Sequence, residues 1–438
     1  MSVNVAVVGG GWAGCAAALT LARSGVRVTL FEAAPVLGGR ARRITRGSRC
    51  IDNGQHLLLG AYERSLALIA SVHGGDAALS MLRLPLSLHA APGMMDDFSL
   101  AVSALPAPLH LLGALVGARG LSAGDKAATL RWVASKLLRR DSPAGTVAEL
   151  LARQPSSARE RLWEPLCVAA LNTPAADASA AVFLEVLRRA FSGARGNSDL
   201  VIPRVDLSAA FPDPCMKEVV ARGGELCLAT PVLRLDPPAD GGVIVVTRST
   251  ERRFHAAVIA TGPQHVARLL PSDRCGITQT LSALSFEPIT TLHLDFPFVP
   301  ASVVDGARML LLDGQPGQWL FWHALSNGQW RASVVVSADH DDRDEAALTA
   351  RGLSQLARCY ALPNPIWSLA ITEKRATWAC TPAQCASLQA LPHSSGDLHF
   401  AGDWSVAELP ATLEAAVLSG ERAAHAILAS HRGDDHRA

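Results

Sequence analysis

The sequence predicts an α/β protein of two domains threaded through one another. Three observations carry this expectation. A glycine-rich strand–turn–helix unit opens the chain. Short apolar strands followed by Gly turns return near residues 256 and 398. The stretches between them read either as helices or as alternating antiparallel strands. Length agrees, because 438 residues exceed what one simple core accommodates.

The opening unit runs from the apolar strand Val5–Val8 into Gly9-Gly10-Gly11-Trp12-Ala13-Gly14. An Ala-rich helix follows to about Ser24, closed by Gly25, and a second strand from Val26 to Phe31 delivers Glu32. Gly9, Gly11 and Gly14 stand at the spacing G-x-G-x-x-G. Gly9 permits the tight turn, Gly11 lets a pyrophosphate approach the backbone, and Gly14 allows close helix–strand packing. Trp12 and Ala13 lie in the turn before the helix, which runs from about Gly14 and whose free N–H groups face phosphate charge. Glu32 is placed to accept hydrogen bonds from ribose hydroxyls. Together these parts predict a Rossmann-type dinucleotide site.

Beyond Glu32 comes Gly38-Gly39-Arg40, where bare backbone N–H groups and a guanidinium suit a pyrophosphate. Arg42 is a second candidate cation or a plain surface charge. A strand-like piece then ends in Ile51-Asp52-Asn53-Gly54-Gln55-His56, and residues from about Ala61 to Ala194 read mostly helical. A helix ending at Gly223-Gly224 precedes strands Pro231–Leu235, Val243–Thr247 and Phe254–Thr261, a meander that closes into Ala260-Thr261-Gly262. Thr290–Phe296, Met309–Leu312, Trp319–His323 and Arg331–Ser337 alternate like an antiparallel sheet, and a helix follows from about Asp344 to Tyr360. The chain closes with strand Leu398–Ala401, the turn Gly402-Asp403 and a helix from about Ala411 to Ser430. Asp403 then lies at a strand end near the N-terminus of a helix that includes Pro410-Ala411-Thr412, where it can accept from ribityl hydroxyls.

The expected boundaries are 1–62, 205–268 and 389–432 for the nucleotide-binding domain. The second domain takes 63–204, mainly helical and substrate- or membrane-facing, and 269–388, an antiparallel sheet. Residues 433–438 are expected to be a disordered tail.

Bulk properties narrow the function. The net charge of +1 gives no broad attraction to nucleic acid. The N-terminal apolar run is a strand of the glycine motif and lacks a basic leader, which predicts a cytoplasmic protein. Nine scattered cysteines without a C-x-x-C pair predict reduced thiols, and no metal-ligand spacing occurs. Leu100–Ala118 is the nearest approach to a membrane segment, but Pro106, Pro108 and His110 interrupt it. Two readings stand for it: a peripheral contact on the inner face of a membrane, or a buried helix of the substrate domain.

The motifs Gly9–Gly14 with Glu32, Gly38–Arg40, Ala260–Gly262, Ala401–Asp403 and Pro410-Ala-Thr-Leu-Glu414 resemble, in order and over the whole chain, the flavin amine oxidase and phytoene desaturase superfamily. Asp52-Asn-Gly-Gln-His-Leu-Leu-Leu-Gly-Ala-Tyr62 and Trp163-Glu-Pro-Leu-Cys-Val-Ala-Ala-Leu-Asn-Thr-Pro174 are similar to the squalene-associated FAD-dependent desaturases of hopanoid biosynthesis. The resemblance implies FAD as cofactor. It implies a glutathione-reductase-type Rossmann domain interleaved with an amine-oxidase-like substrate domain. It further implies reductive removal of the hydroxyl of an apolar isoprenoid, hydroxysqualene, to give squalene. NAD(P)H is a candidate electron donor, although no second G-x-G-x-x-G is evident, and other enzymes of squalene synthesis are candidate partners.

Carried over residue by residue, the resemblance places Glu32 at the adenosine ribose and Gly39 and Arg40 at the pyrophosphate. Val232 lies by the adenine, Asp403 at the ribityl chain, and Gly54, Gln55 and His56 along the flavin ring. Ala415-Ala416 departs from the Gly-Ala often found there, which bears only on how closely the last helix approaches the flavin. The reaction needs an acid for the departing hydroxyl and a dry apolar tunnel. His56 is the first candidate, as acid or to position water, followed by Asp52 and Glu164. Asp52 has a turn cap, and Glu164 a buried structural partner, as the plainer alternative. The expected tunnel walls are Leu105–Val116, Phe183–Leu187, Trp319, Phe321 and Trp322. Trp404 is read as a flavin wall or a core residue, and Asn172 as tunnel lining or a helix stop. Rival activities are oxidative desaturation of a carotenoid precursor, amine oxidation, and flavin-dependent sheltering of isoprenoid without turnover.

Overall fold

The computed structural model describes residues 3–47, 49–138, 143–270, 275–340 and 344–434. A six-stranded sheet organises the nucleotide-binding half. Its spatial order is Glu225–Cys227, Arg27–Phe31, Asn4–Val8, Ala256–Ile259, Leu398–Phe400 and Ser394–Ser395. The first five strands run parallel, and only the short last one is antiparallel. Sequence segments more than 140 residues apart thus lie side by side, as the threaded arrangement requires. Val5, Ala6 and Val7 are fully buried, because helices cover one face of this sheet and the three-stranded meander Arg234–Asp236, Val243–Val246 and Glu251–Phe254 packs on the other.

The helix Trp12–Arg23 packs on the sheet and against the final helix, Leu413–Asp434. The final helix also holds the helix Glu63–Val72 in place. The Glu414 carboxylate accepts from the N–H groups of Arg64 and Ser65 at 3.0 and 2.9 Å, which satisfies donors that this N-terminus would otherwise leave unpaired.

The second domain is built on a five-stranded antiparallel sheet in the order Met309–Leu311, Trp319–Ala324, Trp330–Ser337, Phe286–Phe296 and Trp367–Trp378. Its two faces have different partners. Leu292, Leu294, Leu320, Trp322 and Val334 pack behind the sheet with Leu348 and Leu356 of the helix Glu345–Ala357. Trp319, Phe321 and Val335 belong to the larger core shared with the first domain. Helices within 109–191 complete that core.

Several elements differ from the sequence expectation. Phe254–Thr261 is two strands, not one: Glu251–Phe254 pairs in a three-stranded meander, and Ala256–Ile259 pairs with Asn4–Val8. The strand Trp367–Trp378 was not expected, and neither were Met81–Leu84, Ser87–His89 and Ser99–Ala101 in a region read as helical. The last helix continues to Asp434, into the expected tail; the rest of that tail, 435–438, lies outside the described residues. Among the described residues no helix is long and apolar enough to cross a membrane.

Candidate active site

A cavity of about 890 Å³ runs between the carboxyl edge of the parallel sheet and the inner face of the antiparallel sheet. Pieces from the start, middle and end of the chain line it, at the crevice where α/β sheets bind ligands.

The first turn supplies Gly9, Gly11, Trp12 and Ala13 to the wall. Gly14 is not on the wall but beneath it. A Cβ there would come within 1.9 Å of the Gly9 carbonyl oxygen, and Gly9 itself sits at φ +110° with the Ala260 carbonyl 2.5 Å from where a Cβ would stand. Both positions therefore exclude side chains for steric reasons. Gly11 caps the helix without any side-chain bond, leaving its N-terminal N–H groups turned to the cavity. Glu32 is fixed by two backbone donors, Gly10 at 2.6 Å and Ala34 at 2.7 Å, and lies on the wall with its remaining lone pairs available.

Gly39, Arg40 and Arg42 line the cavity. The Arg40 guanidinium donates to the Ala376 carbonyl and to Asp403 Oδ2, each at 2.7 Å. That bond leaves Asp403 Oδ1 buried with no protein partner. Thr261 Oγ1, Gln264 Oε1, Asn172 Oδ1 and Trp319 Nε1 are likewise buried, unpartnered and on this cavity's lining residues. Buried polar atoms are nearly always satisfied, so five on one cavity mark groups that a ligand completes. Carboxylate, amide and hydroxyl oxygens beside a bare glycine turn suit the ribityl, ribose and pyrophosphate groups of FAD.

Gly402, Val232 and Thr412 are on the wall too. Thr412 Oγ1 accepts from the Ala415 N–H at 3.2 Å and so caps the final helix, whose N-terminus faces the cavity as expected. Ala416 lines the cavity, whereas Ala415 is fully buried behind it.

Gly54, Gln55 and His56 form the segment opposite. Gln55 is clamped to the antiparallel sheet: its N–H donates to Thr291 Oγ1 at 3.2 Å, and its Oε1 accepts from His323 Nε2 at 3.0 Å. His56 Nδ1 lies 2.9 Å from the Gly54 carbonyl oxygen, which can only accept, so the ring proton is on Nδ1 and Nε2 is an acceptor. Burial lowers the pKa of His56, and the Arg40 charge lowers it further against the opposing pull of the Gly54 bond. A neutral ring with its one N–H committed positions water or a hydroxyl; it does not supply an acid proton.

The other two candidate acids lie off the cavity. Asp52 Oδ1 accepts the Leu207 N–H at 2.9 Å, and burial pushes its carboxyl up to about 6, outweighing that bond. It satisfies the first N–H of the helix Leu207–Ala210, a structural role, though across the chain and not in a turn of its own. Glu164 opens the helix Glu164–Leu171, half-buried, and lines neither this cavity nor its apolar neighbour. Trp404 is core: its Nε1 donates to the Thr261 carbonyl at 3.1 Å and it is absent from the wall. Asn172 ends its helix at φ +46°, as one of its two readings has it; it lines this cavity and not the apolar one beside it, held by Nδ2 bonds to Pro288 O and Thr377 Oγ1.

A second cavity of about 150 Å³ adjoins the first and shares Leu57, Tyr62, Ala169, Ala170, Met309, Trp319 and Thr412 with it. Phe183, Val186, Leu187, Leu86 and Leu88 line its interior. Of the expected wall Phe183–Leu187, Phe183, Val186 and Leu187 line this apolar cavity, as does Trp319, while Phe321 lines the first cavity. Trp322 is not, because strand alternation turns it to the sheet's far face, and Leu105–Val116 lines neither cavity. Tyr62, at the junction, had no role assigned from sequence. Its hydroxyl bonds Thr412, while burial and the Glu414 charge raise its pKa and keep it protonated. Thr291 and Met309 were also missed; the alternation of their strands was the available signal.

The sequence pattern of the flavin containing amine oxidoreductases matches residues 12–428. The chain belongs to that family. FAD is its cofactor, and it is an FAD-dependent oxidoreductase. It is 30% identical to the hydroxysqualene dehydroxylase of Rhodopseudomonas palustris, over 99% of this chain and all of that one. It is 27% identical to that of Sinorhizobium fredii over 98% and 99% of the two chains. The resemblance of its motifs to the squalene-associated branch agrees with both relatives. The fold is similar to that of cyclohexylamine oxidase from Brevibacterium oxydans, with a TM-score of 0.74 at 18% identity, covering 99% of this chain and 100% of the other.

Proposed function

We propose that the protein removes the hydroxyl of hydroxysqualene reductively to give squalene. The observation that carries this reading is the apolar cavity opening directly off the flavin cavity. Its wall is mostly hydrocarbon, with Leu57, Leu59, Leu86, Leu88, Phe183 and Leu187 among it; of its polar members Tyr62, Arg189, Ser198, Thr412 and Glu414, Tyr62 and Thr412 are shared with the flavin cavity. Such a space takes part of one arm of an isoprenoid among Phe183, Val186 and Leu187, with the hydroxyl at the junction with the larger cavity. The names of the relatives point the same way.

The balance of the reaction is simple. The allylic carbon–oxygen bond breaks, the oxygen takes a proton and leaves as water, and the carbon gains a hydride. FAD, when reduced, supplies that hydride. The chain's residues supply the rest: Tyr62 keeps a hydroxyl donor at the junction, His56 offers an acceptor that orients the hydroxyl or its water, and Trp319 with Leu57 excludes bulk solvent.

The test is anaerobic incubation of FAD-loaded, chemically reduced protein with hydroxysqualene, with product analysis. Squalene is the expected product. Unchanged substrate under these conditions, together with a conjugated polyene formed from phytoene and an added electron acceptor, would overturn the reading in favour of oxidative desaturation.

A further inference from the structure

Residues 103–118 contain no Asp, Glu, Lys or Arg. They include the helix Leu109–Gly117, which is apolar on both faces. Leu111, Ala114 and Leu115 point inward and are buried. Leu109 and Val116 are 49% and 62% exposed, Leu112 between them is half-buried, and Leu105 in the approaching turn is 47% exposed. Positions 109, 112 and 116 share one helical face. A helix that is hydrophobic all round belongs in a core or in lipid, and this one has a core on one side only.

What borders the apolar stripe is positive. From 103 to 138 the charged residues are Arg119, Lys126, Arg131 and Lys136 against Asp125 alone. Lys126 Nζ donates to the Val116 carbonyl at 3.0 Å, which sets a cation at the end of the exposed helix. The Asp125 carboxylate accepts from Ser157 and Ser122. The nearby acid Asp96 is paired with Arg161. Leucines flanked by cations match the acyl boundary and anionic headgroups of a lipid surface.

The stripe also backs onto the apolar cavity. The Val102 N–H donates to the Leu86 carbonyl at 3.0 Å, and His110 Nε2 lies 3.2 Å from Ser198 Oγ. Leu86 and Ser198 are both in that cavity's wall.

We propose that the helix Leu109–Gly117 docks in the interfacial layer of an anionic bilayer, seated by the basic helix Ala123–Leu138, and that this brings the apolar cavity next to lipid. The docking stands on its own; only its use for substrate delivery rests on the activity proposed above.

The experiment is flotation of the full FAD-loaded chain with phosphatidylcholine vesicles, with and without phosphatidylglycerol. The protein is expected to float with the anionic vesicles and to be released by salt. Leu109→Glu with Val116→Glu should weaken binding about tenfold or more, and Arg131→Glu about fivefold or more. Leu79→Glu, at a leucine exposed elsewhere, should leave binding unchanged. Flavin absorbance reports that each variant is folded, and Leu109→Ser replaces the double variant if that one does not fold. Turnover of detergent-dispersed substrate should stay as in the unaltered chain, so a failed flotation and a failed activity are separate results. Absence of the unaltered protein from anionic vesicles, or equal flotation of the leucine-stripe variants, would overturn the proposal.

Discussion

The two walls of the active-site cavity are made differently. The nucleotide wall is mostly backbone: a glycine turn, a helix N-terminus and carboxylates pinned by N–H groups, as with Glu32 between Gly10 and Ala34. The facing wall is mostly side chain: Thr291, Trp319, Phe321 and Val335 from one sheet, and Asn172 from a helix end. A backbone wall tolerates almost no substitution, because its atoms already touch. A side-chain wall can be recut, because changing one residue moves only what that residue filled. This difference fits one cofactor combined with changeable substrates.

The backbone wall is least tolerant at Gly14. Gly14→Val would drive a side chain into the Gly9 carbonyl. We expect a cost of ~4 kcal/mol or more and no FAD-loaded folded protein, read by circular dichroism and flavin absorbance. A yellow, folded variant would show that the backbone wall is softer than its contacts indicate. On the facing wall, His56→Ala removes the acceptor that orients the hydroxyl or its water; it should leave FAD bound and lower kcat by about 100-fold, measured by single-turnover kinetics. Loss of FAD there would mean that His56 belongs to the cofactor wall instead. Between the walls, Asp403→Ala removes the partner of Arg40 and the unpaired oxygen. FAD affinity should fall roughly 30-fold, the equivalent of ~2 kcal/mol for a hydrogen bond to a charged group, measured by flavin titration of the apoprotein.

The same contrast decides what was legible in the sequence. Gly9–Gly14, Glu32, Gly39, Arg40, Gly402 and Asp403 were readable because each backbone task restricts the residue type that performs it. The facing wall depends on which way a strand turns its side chains. Trp319 and Trp322 look alike in sequence, yet three positions of alternation send one to the cavity and the other behind the sheet. Trp367–Trp378 escaped notice because exposed or half-buried Glu373, Lys374 and Arg375 interrupt its apolar rhythm. Phe254–Thr261 looked like one apolar strand because nothing local shows that the chain changes sheets at His255. Asp52 and Glu164 were drawn in as acids by their neighbours in long motifs. A motif fixes the company that a residue keeps along the chain, not whether its side chain reaches the cavity.

The smallest expected effect concerns pH and separates the walls once more. The sheet holds His293 4% exposed, its Nδ1 3.1 Å from Ser333 Oγ. Burial first, then the Arg331 and His323 charges, lower its pKa to about 3. The native ring is therefore neutral where an unfolded histidine, with a pKa of about 6.5, would take up a proton. Below about 6.5 the unfolded state binds more protons, so stability falls as pH drops from there toward about 3. Between pH ~7.5 and ~5.5 the loss from one such histidine is ~1.4 kcal/mol. His293→Gln cannot titrate and should flatten the pH dependence of urea unfolding by about that amount, whatever it does to the absolute stability. The glycine-built wall offers no such buried imidazole among Gly9–Gly14 and Glu32, so Gly11→Ala should lower FAD binding and leave the acid slope of unfolding as it was. An equal change in slope for both variants would mean that the two walls unfold as one unit and that their separate construction has no energetic counterpart.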